Sequence, residues 1–485
     1  MEKKFLVLTV AVFAVSAHAQ NRAQYEVEEW KSSQNEITNF DIGKYTTPNI
    51  VRNQLEMILN FRSDNTRDDE SYPDKDSRKE TSDISGNLTS SFSRYVNTRK
   101  IISNLTGILT LDGKKNAQNN KQTFTNGSPT TVDNESKLSQ QNSLFLHWSN
   151  QWYFSKLFFM DYGLTNTSIQ YLYNQDKTKK QSEDTNQENK YLGFNVSPQV
   201  GVGYGRIENV RDARQAVYLT HALSKKNVLT RQLSNDEMFE LSQKISTVKN
   251  KRFLDSRLRI IEEITTVDSF FVNNNLLADN GAPYFTTLYD MWQYGDLFPR
   301  QSGYNISFLV NSYFSALSTK DTPVKQDNFH TANSPTLSVN FRYEKPFKLN
   351  WQHSLLTDVY GSIHSTTSRY KVTDNEYTNN TEGKTISAYA KYALGYYPNT
   401  RTNIQISATQ RISKYTSEST FNGKRNGTDF YSDLNAVLYY YFSPNLRLSG
   451  NCRIYYSHGE LDELYSRKMN YFSTLFSLQL AYFLF

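Results

Sequence analysis

Between Tyr191 and Tyr204 the chain alternates without a break. Leu192, Phe194, Val196, Pro198, Val200, Val202 and Tyr204 are interleaved with Tyr191, Gly193, Asn195, Ser197, Gln199, Gly201 and Gly203. Successive side chains of a strand point to opposite faces, so this pattern predicts a strand with one apolar and one polar wall. Ile101, Leu105, Leu109 and Leu111 alternate in the same way with Asn104, Thr106 and Thr110. Ile404, Ile406 and Ala408 do so with Asn403, Gln405, Ser407 and Thr409. About fourteen such segments follow one another: 50–62, 82–95, 98–112, 138–153, 156–173, 188–204, 303–317, 335–346, 349–369, 384–397, 401–416, 428–442, 446–458 and 468–485.

The connections alternate as well. Long polar stretches at 63–81, 113–137, 174–187, 318–334, 370–383, 417–427 and 459–467 read as loops. Tight turns lie between them at Lys345-Pro346-Phe347, Tyr397-Pro398-Asn399 and Ser443-Pro444-Asn445, where proline presets the backbone and offers no ladder donor. Aromatics gather just before these turns, in Tyr396-Tyr397 and Tyr439-Tyr440-Tyr441-Phe442. The rhythm predicts an all-β, antiparallel up-and-down barrel of about 14 strands, with 12 or 16 as alternatives. A soluble β-sandwich would also alternate, but it gives no reason for the long and short connections to take turns.

Composition sharpens this reading. Only 37% of residues are hydrophobic, which is low for a conventional core, yet Tyr (34) and Phe (29) are abundant, which argues against disorder. A barrel wall reconciles the two, because it needs apolar side chains on one face only, with aromatic girdles. Mean hydropathy is −0.67, and no run approaches the roughly 18 to 20 apolar residues of a spanning helix. The N-terminus, MEKKFLVLTVAVFAVSAHAQ, sets Lys3 and Lys4 before a short apolar run and Ala17-His18-Ala19. That is the layout of a secretory signal cut after Ala19. The lone Cys452 excludes an intramolecular disulfide framework. The formal charge of +6, or +5 without Glu2, Lys3 and Lys4, is too small to suggest nucleic acid.

The chain closes on Leu478-Gln479-Leu480-Ala481-Tyr482-Phe483-Leu484-Phe485. With this terminal aromatic strand and the leader, it resembles the bacterial outer-membrane β-barrels. The resemblance implies a Gram-negative outer membrane, lipid around the wall, short turns and both termini in the periplasm, and a final strand read by the barrel-assembly machinery through Tyr482, Phe483 and Phe485. Counting back in twos from Phe485 gives Phe483, Ala481, Gln479 and Ser477, whereas the more apolar face is Leu484, Tyr482, Leu480, Leu478 and Phe476, so the sequence leaves the facing of this strand open.

After Gly205 the period changes from two to that of a helix. Val210, Ala213, Val217 and Leu219 mark a first helix; Met238, Leu241, Ile245 and Val248 a second; Phe253, Leu254, Leu258, Ile261, Ile264 and Val267 a third. Ser234-Asn235-Asp236-Glu237 matches a capping box. The organisation is therefore a signal segment (1–19), an N-terminal segment (20–49), a first half-barrel (50–204), a helical insertion on the short-turn side (205–302) and a second half-barrel (303–485). Residues 206–272 hold 12 Lys or Arg against 9 Asp or Glu. Arg206, Arg211, Arg214, Arg252, Arg257 and Arg259 form either a surface for a periplasmic protein partner or a solvated face with local ion pairs.

Catalytic and cofactor motifs do not emerge. The seven histidines are scattered without HExxH spacing, there is no GxSxG or GxxxxGK[ST], and GVGYGR at 201–206 is not a dinucleotide fingerprint. We therefore expect no enzyme, no cofactor and no metal. Asp68, Asp69, Glu70, Asp74 and Asp76 could draw divalent cations, but Arg67, Lys75, Arg78 and Lys79 stand among them. Gly201, Gly203 and Gly205 fall on the inward face, where a missing side chain admits another backbone or merely eases bending; the insertion is expected to pack partly against them. With apolar positions outward, Arg342, Lys391, Arg411, Arg447 and Arg453 face the lumen together with Glu344, Asp358 and Asp433. Their positive excess would favour anions, unless the charges are spent on structural pairs. A porin-like channel for small solutes, gated by the insertion, is the first reading. An anchor docking a periplasmic partner in an export or envelope-assembly complex and an outer-membrane hydrolase are the alternatives.

Overall fold

The structure, a computed structural model, describes residues 40–482 apart from 126–127, 181–182, 252–255, 295–297, 299, 323–325, 348, 373–374, 400–401, 422, 444–445 and 463–466. The signal segment, Arg252, Phe253, Leu254, Phe483 and Phe485 thus lie outside the described residues.

A 3-10 turn at Ile42–Lys44 leads into β1 (Ile50–Ser71), β2 (Lys75–Asn97), β3 (Ile101–Phe124), β4 (Thr131–Tyr153), β5 (Phe158–Lys180), β6 (Glu183–Val196) and β7 (Pro198–Asn209). Four helices follow: α1 (Arg211–Lys225), α2 (Asn235–Lys249), α3 (Ser256–Asn273) and α4 (Ala282–Tyr294). The wall then resumes with β8 (Gln301–Thr322), β9 (Gln326–Phe347), β10 (Trp351–Val372) and β11 (Asn375–Tyr396). It ends with β12 (Thr402–Ser419), β13 (Gly423–Ser443), β14 (Leu446–Asp462) and β15 (Arg467–Tyr482).

Every ladder is antiparallel, and apart from β5–β7 and β6–β8 each joins strands consecutive in the chain, the up-and-down barrel order. β6 and β7 are one stave interrupted at Ser197, since both lie between β5 and β8, so fifteen strands occupy fourteen positions. The break has a local cause. Pro198 has no N–H to give, and the Ser197 carbonyl accepts instead from Thr165 N at 2.7 Å.

The long polar stretches are the main departure from the sequence reading. Most of what read as loops is strand: β1 and β2 pair from Ile50↔Asn97 to Ser71↔Asp76 and are joined by 72–74 alone. Beyond the apolar belt both faces of a strand are wet, so the hydropathy signal fades while the hydrogen-bond ladder continues. At about 3.3 Å per residue, the 22 residues of β1 run roughly 70 Å, far more than the ~9–11 residues needed to cross a bilayer. The apolar half is the one next to the short turns. Val51 to Phe61 precede Arg62 to Ser71 in β1, and Tyr304, Ile306, Phe308 and Val310 precede Lys320 and Asp321 in β8.

A row of directly opposed residues, Val339, Val359, Ala388, Ile412 and Phe430, crosses β9 to β13 on the outward face. The register then sets Leu434 opposite Ile454 and Ile454 opposite Thr474, which turns Phe476, Leu478, Leu480 and Tyr482 outward. This settles the facing of β15 in favour of its more apolar row. Closure was expected as well, but among the described residues no ladder joins β1 to β15. Their outward side chains are accordingly more exposed, with Leu59 at 76% and Phe476 at 75% against 44% for Ile306 within the wall.

The helical insertion has four helices where three were expected, and it begins later, because β7 continues to Asn209. The fourth, α4, was legible in the spacing of Tyr284, Leu288 and Trp292, all buried. Leu219, Leu223, Leu241, Ile245, Phe270 and Phe271 join them in one core. Ile261 points to solvent instead, so the third apolar stripe was read too wide. Val210, Ala213 and Val217 of the α1 side pack with Ile42 and Tyr45 and with Leu349 of the β9–β10 turn. The insertion therefore rests on the short-turn end of the barrel.

Candidate functional site

All eight charges expected to line the lumen stand on the rows opposite the outward one. They fall into two groups and two separate positions. In the first, Arg342 and Glu344, two residues apart on the same face of β9, pair at 3.0 Å. Glu344 is buried, and it also accepts from Gln352 Nε2 at 3.2 Å and Ser354 Oγ at 2.5 Å, while Arg342 donates to Gln301. Here the structural-pair reading describes what the charges do. In the second, a cavity of about 590 Å³ is bounded by Lys391, Arg411, Asp433 and Arg453. Asp433 is paired with Arg453, and Arg411 lies over the Tyr431 ring at 5.8 Å. One carboxylate among three cations leaves this stretch of wall basic. Asp358 lies on the inward row between the two groups, opposite Tyr389 and two residues from Leu356, which pairs with both Arg342 and Lys391, and Arg447 is nearer the turn end of β14.

The glycine row faces inward as read, but a side chain of the wall fills the space above it. A Cβ on Gly203 would meet the Phe159 ring at 2.2 Å, so Phe159, fully buried on β5, occupies the room where a helix was expected. Cβ atoms on Gly201 and Gly205 would strike the β8 backbone, at Phe308 O and Tyr304 O, and Gly205 has φ +109°. Close strand approach and bending are therefore the uses of this row.

Three arginines fasten the insertion and its flanks to three separate turns. Arg206, at the end of β7, pairs with Glu208 at 2.7 Å and reaches Asn97 Oδ1 at 2.6 Å and Thr98 O at 3.0 Å before β3. Its guanidinium lies 4.9 Å over the Tyr153 ring. Glu208 in turn accepts from Thr47 N, anchoring the segment that precedes β1. β7 and β3 are three staves apart, about 14 Å along a flat sheet at ~4.8 Å per strand, so this bridge requires the wall to curl inward. Arg214, buried at the start of α1, donates to Asn399 O at 3.2 Å and stacks on Tyr218 and Tyr397. Arg300 donates to Trp351 O at 2.5 Å, to Leu349 O and to Gln352 Oε1 at 3.2 Å. Burial, with Arg214 nearby, lowers its pKa to about 10, so it remains cationic at neutral pH.

Arg206 and Arg214 are thus turned toward the barrel, which corrects their place in an exposed basic face. They are long, planar donors whose guanidinium groups reach turn carbonyls, Thr98 O from Arg206 and Asn399 O from Arg214. Arg259 is exposed and pairs with Glu263 at 2.7 Å, and Arg211 is half-buried. Arg257 belongs to α3. Of the presumed assembly signal, Tyr482 ends β15 facing outward, and the two phenylalanines lie beyond the described residues. Sequence reasoning missed Arg300, Tyr397 and the strap around Tyr45, whose hydroxyl meets Ser246 Oγ at 2.7 Å. Nothing in their local spacing separates them from ordinary turn residues.

The acidic run near Asp69 is neutralised by Arg67 at 2.9 Å and Arg78 at 2.8 Å, both in the outer extensions of β1 and β2. Among the described residues no group of three His, Cys, Asp or Glu could hold a metal ion, and no helix is long and apolar enough to cross a membrane.

No family model matches the chain, and no curated protein does. Among solved structures, OpdQ of Pseudomonas aeruginosa aligns over 88% of this chain and 99% of its own at 8% identity, with a TM-score of 0.16. A likeness that small carries no argument about fold or function, and the reading rests on the chain itself.

Proposed function

We propose that the protein is a porin-like channel of a bacterial outer membrane, with its short turns in the periplasm and its helical cap governing that mouth. The observation that supports this most is the split of the wall into an outward apolar belt and an inward polar face bearing Lys391, Arg411 and Arg453. A wall of fourteen staves is wider than the roughly eight-stranded kind that side chains fill, so it leaves room for solute. The secretory leader expected from Lys3 to Ala19 agrees with export. The cap is the gating element in this reading, because its arginine anchors hold it over the turns.

Planar-bilayer conductance of the purified protein tests both parts. Replacing residues 210–299 by a short Gly/Ser linker is expected to leave the barrel folded and to raise conductance. An intact barrel with unchanged conductance rejects gating, and silence from both proteins rejects the channel. Chloride preference is expected to fall when Arg411 and Lys391 are changed to Glu, read as a shift of reversal potential toward cations.

A further inference from the structure

A crevice of about 710 Å³ opens where the cap meets the first two staves. Its walls come from both sides: Arg52 from β1, Arg211 and Asp212 from α1, Lys249 from α2, and Arg259 and Glu263 from α3. Four cations therefore face two carboxylates. Both carboxylates are already engaged from within the cap. Asp212 takes Lys249 at 3.2 Å and the Ser246 hydroxyl. Glu263, buried, takes Arg259 at 2.7 Å and the Trp292 indole N–H at 2.8 Å. Arg52 leans on the Tyr95 ring at 6.0 Å and is exposed.

The lining is not uniformly polar. Ile50, Ile260 and Trp292 contribute apolar surface among the guanidinium groups. Clefts of roughly 300–1,000 Å³ with an apolar lining and a few fixed polar groups suit small organic molecules rather than bare ions. A net excess of fixed positive charge in a low-dielectric recess concentrates anions there. We propose that this crevice binds small organic anions, carboxylates or phosphates carrying an apolar body, and that it is their way past the cap. The inference rests on the channel reading for the passage, but not for the binding.

Adipate, a flexible six-carbon dicarboxylate, is a suitable probe, with 1,6-hexanediol as its uncharged counterpart and potassium chloride at matched ionic strength as the control. Trp292 reports from inside the crevice, so intrinsic fluorescence of the full chain in lipid nanodiscs reads binding without any need for conduction. Adipate is expected to change the emission saturably, hexanediol and chloride not at all, and Trp292→Phe is expected to remove the signal. Arg52→Gln should weaken adipate by roughly tenfold or more, the loss expected for one charge-assisted contact, and Arg52→Lys should restore part of it. Arg211→Gln is expected to add to the effect of Arg52→Gln. An adipate response equal to that of hexanediol, or one untouched by Arg52→Gln, overturns the proposal. Conductance measured on the same samples separates the two readings. A protein that binds adipate but never conducts keeps the site and loses the channel, whereas one that conducts and ignores adipate loses the site alone.

Discussion

At the scale of single residues, the short-turn end is held by cations in a place where few carboxylates are available. Arg300 is satisfied by neutral oxygens of Leu349, Trp351 and Gln352, and Arg214 by Asn399 O and aromatic faces. Arg206 differs, because its partner Glu208 is itself buried and holds Thr47 N. Removing one member of such a pair strands the other without solvent, typically at about 3–5 kcal/mol, whereas removing both charges costs far less. Arg206→Ala is therefore expected to destabilise the protein by several kcal/mol on this scale, and Arg206→Ala with Glu208→Gln to recover part of the loss. Urea unfolding of the two variants decides it. If the double variant is no more stable than the single one, the pair is not what holds Arg206 in place.

Among the elements, what the sequence made legible depended on whether one face meets a different solvent from the other. All fourteen staves were found from their alternation because an apolar outward face and a polar inward face imprint a period of two. Their outer ends were not, because from Arg62 to Ser71, or from Ser413 to Ser419, both faces are polar and only the ladder marks the strand. The capping box on α2 was found in four residues, since it is a local exchange of two bonds: Ser234 Oγ accepts from Glu237 N at 3.3 Å, and Ser234 N donates to Glu237 at 2.8 Å. The anchors at Arg214 and Arg300 escaped notice because their partners, near 399 and 350, are remote in sequence. The box also carries a pH dependence. Arg231 and the Ser234 backbone N–H lower the Glu237 pKa from 4.5 to about 2. A depressed carboxylate pKa stabilises the fold fully above its ordinary value and loses that contribution as pH falls toward the lowered one. The helices of the cap are thus expected to loosen between about pH 4.5 and 2. Glu237→Gln should flatten that part of the profile, followed by circular dichroism at 222 nm, while Ser234→Ala should cost about 1 kcal/mol at neutral pH. A Glu237→Gln profile that still falls with the parent slope would assign the transition to other groups.

For the whole molecule, the wall and the membrane make unequal demands at one place. Among the described residues, thirteen of the fourteen junctions between neighbouring staves carry a ladder, and none joins β1 to β15. Hydrocarbon offers no partner to a free N–H or C=O, and each such group left in it costs several kcal/mol. The two free edges therefore form the least stable line of the barrel, and local opening should begin there. The crevice lined by Ile50 and Arg52 lies at the short-turn end of β1, so the weakest junction and the basic recess share a strand. Amide exchange in lipid nanodiscs measures this directly. Peptides covering Val51 to Phe61 and Leu475 to Leu480 are expected to exchange markedly faster than those covering Leu337 to Phe341 and Ile404 to Ile412, which are laddered on both sides. The contrast should hold for the apolar halves of the strands, where exposure to water is equally low, and not only for their wet outer ends. Equal protection of edge and interior staves would mean that β1 and β15 are paired in the bilayer. The barrel would then be closed all round.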